Sequence, residues 1–476
     1  MPGGRCPTAA PSRAGELGYW LQEAGPVEPR APLDRDARFD VVVVGGGYAG
    51  MWAAWSLVQR QPEAKVAVLE AGVCGEGPSG RNAGFVNSFW HHLGPLAERF
   101  GDRPALDLCE QAARSVEEIG DWARERELDV WFREAGHLKV ATSPAQEDIW
   151  MESVRACERL GVGSQYIDLD PDQVAAICRS GRFGGGVLMS RSASVQPARL
   201  ARGLREALTA AGVSVYERTR ATRIAGGPDG VVVKTAAGRK ASAPSAVVAI
   251  NAASAGFGPL RNRLVVSSTH MLVTEPVPDV LEQLGWTGGE CISTARTYLH
   301  YFRTTPDGRI AFGWGGGRLA CGARLGGRIQ DDPEIGERLR TDLVRLFPAL
   351  EGRRVARTWG GPVDVSPERL PVLGTLPDGR THYVYGFTGN GVGPSHLAGR
   401  VLASMALDSR DELTSLPIVE PAQPRVPPEP LRYIGGSVVR AALLRQERRE
   451  DEGAPADPLT DLVVDMPRLL GIHVGR

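Results

Sequence analysis

Three glycines with the spacing G-x-G-x-x-G, Gly45, Gly47 and Gly50, follow an apolar run at residues 39–44. In that context the first glycine permits a tight turn and the second lets the backbone approach a pyrophosphate. The third allows a helix to pack closely on a strand, and the N-terminus of that helix attracts phosphate. Glu70 ends the next apolar run, where its carboxylate can accept hydrogen bonds from ribose hydroxyls. The pattern predicts a Rossmann-type dinucleotide site and leaves NAD and FAD both open.

Two further segments distinguish between these cofactors. One is SGRNAGFVNS at residues 79–88, and the other is the glycine-rich block at residues 359–406, which begins WGGPVDVSPERLP. Together with FDVVVVGGGYAGMWAAWSL at residues 39–57, they resemble the D-amino-acid-oxidase-like family of FAD-dependent oxidoreductases. The γ-glutamylputrescine-oxidase-like subgroup is the most similar, and the resemblance extends over residues 39–408. It implies an enzyme that oxidises a C–N bond by hydride transfer to flavin N5, giving an imine and then an aldehyde.

The same resemblance implies which residues contact FAD. They are Gly45, Gly47, Tyr48, Ala49, Gly50, Glu70, Ala71, Ser79, Gly80, Arg81, Asn82, Ala83, Gly84, Ala221, Ala252, Trp359, Gly361, Gly389, Asn390, Gly391, Val392 and Gly393. A helix opening near Gly391 would point its N-terminus at the flavin N1–C2 edge, where negative charge collects on reduction. Some relatives attach FAD through a His near Arg81 or a Cys in the C-terminal block. No cysteine follows Cys321, so non-covalent FAD is expected.

The substrate end of the site is predicted from the block after Trp359. In glycine-oxidase-like relatives an Arg there binds the substrate carboxylate, and the matching position in this chain is Val363, followed by Asp364. A valine cannot bind a carboxylate, and an aspartate repels one. These residues favour a neutral or cationic amine, with Asp364 either contacting it or serving as a solvated or structurally paired acid.

Aromatic and histidine residues give the other catalytic candidates. Tyr298 and His270 lie on predicted strands of the region that covers the flavin face in this family, so either can line the pocket. Each also has an ordinary structural interpretation as a residue of the sheet. His91 and His92 are adjacent and point in different directions, without acidic or thiol partners at ligand spacing. We therefore expect them at the surface or in the core, and we expect no metal site.

Three functions stay open. The first is an amine oxidoreductase with O2 as its electron acceptor. The second is a D-amino-acid oxidase or dehydrogenase, or a glycine/sarcosine-type enzyme. A quinone acceptor would need an apolar surface such as that of the predicted tail helix around Ile434, Val438 and Ala442. The third is a flavoprotein subunit without turnover of its own.

The elements that position these residues predict an α/β fold in two domains. A Rossmann-type FAD-binding domain comprises residues 36–110, 185–263 and 355–412. A substrate domain with an antiparallel or mixed sheet comprises residues 111–184 and 264–354, and includes a hairpin with its turn at 306–308. Residues 413–476 form an appended helical tail.

Composition excludes several classes of protein. The 476 residues carry a formal charge of -1, which gives no reason to expect nucleic acid as a partner. Seven cysteines without a C-x-x-C pair indicate reduced thiols. The first 17 residues lack an apolar signal segment and are expected to be frayed, and no apolar run reaches the roughly 20 residues needed to cross a bilayer. We expect a cytoplasmic protein with a small-molecule substrate, and the oligomeric state is left open.

Overall fold

The structure is a computed structural model that describes residues 4–5, 18–455 and 457–473. In chain order its strands are β1 (Gly4–Arg5), β2 (Ala37–Arg38), β3 (Val41–Val44), β4 (Val66–Leu69), β5 (Phe85–Val86), β6 (His137–Val140), β7 (Tyr166–Leu169), β8 (Gly186–Met189), β9 (Ala193–Ser194), β10 (Ser214–Tyr216), β11 (Ala221–Gly227), β12 (Gly230–Thr235), β13 (Lys240–Ala243), β14 (Ser245–Val248), β15 (Val265–Thr274), β16 (Cys291–Thr294), β17 (His300–Thr304), β18 (Ile310–Trp314), β19 (Val355–Val365), β20 (Val372–Thr375) and β21 (Thr381–Tyr385). The segment predicted to be frayed lies outside the described residues, apart from residues 4–5.

The α-helices include those predicted after the glycine turn, near Gly391 and in the C-terminal tail. In chain order they are α1 (Tyr19–Glu23), α2 (Tyr48–Arg60), α3 (Leu93–Phe100), α4 (Asp102–Glu125), α5 (Met151–Arg159), α6 (Pro171–Ile177), α7 (Pro197–Ala210), α8 (Pro278–Leu284), α9 (Pro333–Leu346), α10 (Val392–Ala406), α11 (Leu431–Asp451) and α12 (Pro458–Asp465). Among the described residues, no helix is both long and apolar enough to cross a membrane.

A six-stranded sheet carries the predicted dinucleotide motif. Its order is β10-β4-β3-β14-β21-β20, with β20 antiparallel to β21 and the other pairs parallel. Val44 is in register with Leu69 on one side and with Val248 on the other. Every residue of β3 is buried, as expected for a strand that is covered on both faces. The predicted βαβ unit is therefore confirmed.

An eight-stranded mixed sheet covers the other side of the molecule. Its order is β19-β15-β18-β17-β16-β6-β8-β7, in which β6 and β16 pair in parallel and the other pairs are antiparallel. β17 and β18 form the predicted hairpin, in which Gly308 has a φ of 76°. Along its whole length β15 pairs with β19. This sheet agrees with the predicted antiparallel or mixed second sheet.

The predicted domain boundaries differ from sheet membership at two strands. The prediction assigns residues 185–263 and 355–412 to the FAD-binding domain. β8 nevertheless pairs with β6 and β7, and β19 pairs with β15, all within the eight-stranded sheet. β19 reaches the six-stranded sheet at its far end, where Asp364 bonds to Gly386 after β21. The two sheets thus share this chain segment, and the domain division stays a prediction.

Candidate active site and cofactor cleft

One continuous cavity of about 1620 Å³ extends from the N-terminus of α2, between the two large sheets, to the C-terminal tail. Pockets for a single small ligand usually measure about 300–1,000 Å³. The cavity therefore has room for an extended cofactor and a substrate together.

The predicted glycine turn lies at one end of this cavity. Gly45 follows β3 with a φ of 111°, a conformation that L side chains rarely adopt, and a Cβ there would lie 2.3 Å from the Ala249 carbonyl oxygen. Gly47 is the N-cap of α2 and has no side-chain cap. A Cβ on Gly47 would lie 3.1 Å from Ser79 Oγ. The backbone thus leaves an opening at the helix N-terminus, which is the cradle that a pyrophosphate needs.

Glu70 follows β4 and lines the same end of the cavity. Its Oε2 accepts a hydrogen bond from the Gly46 amide, and its Oε1 accepts one from the Gly72 amide, each at 2.7 Å. Burial raises the pKa of the Glu70 carboxyl. The carboxylate thus ties the glycine turn to the loop after β4. Its predicted contact with ribose stays a prediction.

The segment after Pro78 is held by side-chain hydrogen bonds. Asn82 Nδ2 donates to the carbonyl oxygens of Pro78 and Ser79, at 3.1 and 2.8 Å, and its Oδ1 accepts from the Gly84 amide at 2.7 Å. Ser79 Oγ accepts from the Tyr48 amide at 2.9 Å, which joins the segment to the start of α2. These bonds fix a loop that presents Ser79 and Asn82 to the cavity.

A second helix N-terminus faces the cavity at α10. Gly391 is its N-cap, without a side-chain cap, and Gly389 has a φ of 84° at a place where an added Cβ would meet no atom within 4 Å. Oδ1 of Asn390 and Oδ1 of Asn87, which also line the cavity, have no hydrogen-bond partner among the described residues. Buried polar atoms are rarely left without a partner, so this region suits a polar ligand.

Five of the predicted cofactor residues do not line the cavity. They are Gly50, Gly80, Gly84, Ala252 and Gly393. A Cβ would lie 2.0 Å from the Gly45 carbonyl oxygen if placed on Gly50, and 2.4 Å from the Asn87 carbonyl oxygen if placed on Gly393. Gly80 and Gly84 are equally close to backbone, and Ala252 belongs to a buried core cluster. These residues lie behind the wall. The close packing of Gly50 agrees with the role predicted for it, and for the other four the structure shows no direct contact with the cavity.

The remaining predicted residues fit FAD. Those that line the cavity are Gly45, Gly47, Tyr48, Ala49, Glu70, Ala71, Ser79, Arg81, Asn82, Ala83, Ala221, Trp359, Gly361, Gly389, Asn390, Gly391 and Val392. The N-termini of α2 and α10 both face this cavity. They suit the two parts of FAD that carry negative charge, which are the pyrophosphate and the reduced flavin ring.

The attachment of FAD is predicted from sequence to be non-covalent, and it stays a prediction. None of the cysteines in the described part of the chain lines the cavity. Cys74 is nearest in sequence to the flavin segment, and burial raises the pKa of its thiol well above the usual value. A protonated thiol is a poor nucleophile. Denaturation with acid is expected to release the flavin into the supernatant.

His270 does not reach the cavity. Its side chain is 2% exposed, and its Nε2 lies 3.2 Å from Ser268 Oγ. Ser268, Thr269 and Met271 of β15 line the cavity, whereas His270 does not and lies near Asp331 and Asp332, just before α9. Burial lowers the pKa of its imidazole to about 4. The structure therefore does not support the predicted catalytic role of His270.

Tyr298 lines the cavity, as predicted. It precedes β17, and its amide donates a hydrogen bond to Glu447 Oε1 of the C-terminal tail at 2.7 Å. Burial raises the pKa of its hydroxyl, so the phenol is neutral. Tyr301, from β17 itself, also lines the cavity, and its hydroxyl bonds to Thr269 Oγ1.

Asp364 lines the cavity wall, but both of its carboxylate oxygens are occupied. Oδ1 accepts from Asn251 Nδ2 at 2.9 Å, and Oδ2 accepts from the Gly386 amide at 2.6 Å. Its side chain is buried, and burial raises the pKa of the carboxyl to about 7. This geometry favours the structurally paired acid over a substrate contact. Val363, the position of the family's carboxylate-binding Arg, lines the cavity beside it.

Two cations that line the cavity, Lys139 and Arg369, were not predicted from sequence. Lys139 is on β6, and burial together with the charge of Arg369 lowers the pKa of its ammonium to about 8. Arg369 lies in the loop between β19 and β20 with a φ of 60°, and burial lowers its pKa as well. The alternation of His137 and Lys139 with apolar residues in HLKV is the signal that predicts a polar face.

Three histidines surround these cations. His91, His92 and His137 line the cavity, and burial lowers the pKa of each. His137 Nε2 lies 2.8 Å from Ser293 Oγ on the neighbouring strand. The expectation that His91 and His92 lie at the surface or in the core is corrected, because they face the cavity as neutral imidazoles.

The sequence model of a family described as "FAD dependent oxidoreductase" (DAO) matches residues 40–405. The chain belongs to this family. γ-Glutamylputrescine oxidoreductase of Escherichia coli K12 is 31% identical over 395 residues, which cover 81% of this chain and 88% of that protein. The β subunit of sarcosine oxidase from Rhodobacter capsulatus is 23% identical over 71% of this chain and 78% of that protein. The glycine oxidase structure from Geobacillus kaustophilus superposes with a TM-score of 0.65 at 22% identity, covering 80% of this chain and 98% of that one.

These findings confirm the predicted family, fold and cofactor. The protein is an FAD-dependent amine or amino-acid oxidoreductase of the DAO family. The family match ends at residue 405, before the C-terminal tail that contributes to the cavity wall.

Proposed function

We propose that this DAO-family protein oxidises the C–N bond of an amine whose other end carries a carboxylate, with O2 as electron acceptor. One observation supports this substrate class above all, the presence of Lys139 and Arg369 in the wall of the cavity. Burying the Lys139 ammonium is costly unless an anion accompanies it. The pKa of Lys139 falls to about 8 because burial and the charge of Arg369 both lower it. A bound carboxylate would offset this cost by pairing with the Lys139 ammonium.

This proposal revises the substrate predicted from sequence. Val363 stands where the family's carboxylate-binding arginine is expected. Both carboxylate oxygens of Asp364 accept hydrogen bonds from within the protein. Neither residue therefore requires a substrate without a carboxylate. The cations from β6 and from the loop after β19 offer a different place for one. The name of the E. coli relative refers to γ-glutamylputrescine, a compound that bears both an amine and a carboxylate.

The cations have a second consequence for the amine. A like charge nearby disfavours the ammonium form and lowers its pKa. In a substrate whose amine lies close to its carboxylate, as in an amino acid, Lys139 and Arg369 would therefore increase the fraction of neutral amine, which is the form with an electron pair available for oxidation. The three imidazoles are neutral because burial lowers their pKa, so they add no further positive charge.

When bound, FAD supplies a two-electron acceptor for the hydride on the carbon beside nitrogen, and water hydrolyses the resulting imine to a carbonyl compound. The side chains of this chain orient the substrate and exclude solvent. Tyr298 and Tyr301 present neutral phenols to the cavity, and Trp359 closes part of the wall, its Nε1 donating to the Arg81 carbonyl at 2.8 Å. Holding the reacting bond in place supplies much of the rate enhancement in such sites.

Anaerobic reduction of the flavin by matched compounds tests the proposal. A γ-glutamyl-capped diamine is expected to reduce it at lower concentration than the same diamine with an acetyl cap. Lys139→Met is expected to raise the Kd of the γ-glutamyl compound by about 10–100-fold, the value of a charge-assisted hydrogen bond. The control Lys240→Met removes an exposed lysine on β13 and is expected to change nothing.

The same assay distinguishes the proposed substrate class from the alternatives. A preference for the acetyl-capped diamine, or no effect of Lys139→Met, would contradict the proposed substrate class. Fastest reduction by the matching amino acid would favour the second candidate, an amino-acid oxidoreductase, which the same two cations also suit. Oxygen uptake with formation of hydrogen peroxide tests the acceptor. Electron transfer to a quinone in place of oxygen would favour a dehydrogenase, for which the exposed Ile434 and Val438 of α11 offer an apolar surface.

A further inference from the structure

The C-terminal tail, of which the structure describes residues 413–455 and 457–473, forms part of the cavity wall although it lies beyond the family match at 40–405. From α11 it contributes Gly435, Val439 and Arg440, and from its end it contributes Val463 and Ile472. The glycine oxidase structure is covered to 98% by only 80% of this chain. The tail residues of the cavity wall thus lie outside the segment that matches the family model.

The tail is fastened to the loop that carries Tyr298. Glu447 is 3% exposed and its Oε1 accepts the Tyr298 amide at 2.7 Å. Asp451, one turn further along α11, pairs with Arg296 of the same loop and lies 2.7 Å from a guanidinium nitrogen of Arg345. Hydrogen bonds that involve a charged group are about twice as strong as neutral ones. The position of Tyr298 in the cavity is therefore coupled to α11.

The end of the tail is fastened to the loop that carries Arg369. The His473 amide donates to the Pro367 carbonyl at 3.0 Å, and its Nδ1 lies 3.3 Å from Glu368 Oε2. Between these two attachments, Arg440 donates to the carbonyls of Gly316 and Gly317 at 2.6 Å. The tail is therefore bonded both to the loop of Tyr298 and to the loop of Arg369, and both of these residues line the cavity.

We propose that the tail is a specificity-determining wall, in which the face of α11 around Val439 meets the part of the substrate that does not reach the cofactor. The inference rests on the proposed function for its substrate, an amine with a second functional end. The predicted cofactor contacts come from α2, residues 79–83 and α10, whereas the tail adds residues of α11 and α12 to the wall of the same cavity. The wall then limits the length and bulk of the remote end of the substrate.

Narrowing the wall tests this inference. Val439→Phe adds volume on the cavity face of α11, and Ala441→Phe adds volume at an exposed position of that helix which does not line the cavity. In a series of amines of increasing length, Val439→Phe is expected to raise the Kd of the longest by about tenfold and that of the shortest by less than about twofold. Ala441→Phe and the wild type are expected to agree throughout.

The opposite change provides a second variant if Val439→Phe does not fold. Val439→Ala enlarges the cavity and is expected to extend the series of accepted amines to bulkier members. An equal effect of Val439→Phe on short and long amines, or an effect that Ala441→Phe reproduces, would overturn the inference. So would an unchanged substrate range in Val439→Ala.

Access to the bound flavin gives a readout that does not depend on turnover. Quenching of flavin fluorescence by iodide is expected to fall in Val439→Phe and to stay at the wild-type value in Ala441→Phe. Unchanged quenching in Val439→Phe would contradict the inference that α11 limits access to the cavity. If no amine or amino acid reduces the wild-type flavin, the proposed function fails, and the quenching comparison still decides whether the tail closes the cavity.

Discussion

The two ends of the cavity are built in different ways. At the cofactor end, the backbone makes the site through the turn after β3, the loop at residues 79–83 and the N-terminus of α10. At the substrate end, side chains make it, and Lys139, Tyr298 and Arg369 come from three distant segments. Each part of the backbone site depends on residues that are close in sequence, whereas the side-chain site depends on how distant segments are brought together. The first end is therefore recognisable in a sequence, and the second is not.

The two ends also provide positive charge by different means. The cofactor end presents the N-termini of α2 and α10, whose partial charges are fixed by the helix backbone. The substrate end presents an ammonium and a guanidinium, whose pKa values burial lowers. Of the two ends, it is the substrate end that can lose charge near neutral pH, through Lys139.

Gly47→Leu is the strongest test of the cofactor end. A side chain there would meet Ser79 and fill the opening at the start of α2, so the purified protein is expected to lose more than about 90% of its flavin. Absorbance at the flavin band, divided by protein concentration, measures it. The matched control is Gly181→Leu, at an exposed position where a Cβ meets nothing within 4 Å. Full flavin content in Gly47→Leu would show that the phosphates bind elsewhere.

The pH dependence of anion binding tests the substrate end. The pKa of Lys139 is lowered to about 8, so the ammonium is present below that pH and is lost above it. The Kd of a carboxylate inhibitor without an amine is expected to rise about tenfold between about pH 7 and about pH 9.5. The groups that surround Lys139 and could contribute are Arg369, His91, His92, His137 and Tyr298.

The variant Lys139→Met distinguishes titration of Lys139 from titration of these neighbouring groups. The histidines are neutral over this range, burial raises the pKa of Tyr298, and Asp364, whose pKa burial raises to about 7, is ionised over most of it, so the variant is expected to bind the inhibitor weakly with a much shallower pH profile. A profile with the same slope in the variant would assign the titration to another group.

The variant Asp364→Asn distinguishes a structural role of Asp364 from a contact with the substrate. The change places an amide nitrogen opposite either the Gly386 amide or Asn251, so one hydrogen bond is lost at a cost of about 1–3 kcal/mol in the free energy of unfolding. Thermal unfolding measures this, with the exposed Asp34→Asn as control. The Kd of cationic amines is expected to change less than about twofold, given that both oxygens already have partners. A large loss of affinity confined to cationic amines would restore the substrate contact predicted from sequence.

Tyr298→Phe is expected to have the smallest effect. It removes one neutral hydroxyl and keeps the ring in the wall, so kcat/KM is expected to fall by about two- to tenfold, equivalent to one ordinary hydrogen bond. Stopped-flow reduction measures it. A fall of about a thousandfold would show that the hydroxyl acts in proton transfer.

The amino-acid sequence by itself determined the cofactor end and the family. The positive φ of Gly45, the absence of a side chain at Gly47 and the buried strand before them are local features, so their residue types and order are sufficient. The α/β fold class, the hairpin before residue 314 and the helix that follows Gly391 are predictable for the same reason. The place of Tyr298 at the cavity also agrees with the prediction from sequence.

Only the tertiary structure decided the substrate end. Whether His270 reaches the cavity depends on what packs against β15 at that residue, here the segment of Asp331 and Asp332, and alternation along a strand does not tell this. Asp364 finds its partner Asn251 far away in the chain, and Lys139 and Arg369 are farther apart still. The tail enters the cavity wall through bonds to loops at Tyr298 and Pro367. Such contacts are set by how two sheets and a tail pack together, because burial and hydrogen bonding select partners by distance in space and not by spacing in sequence.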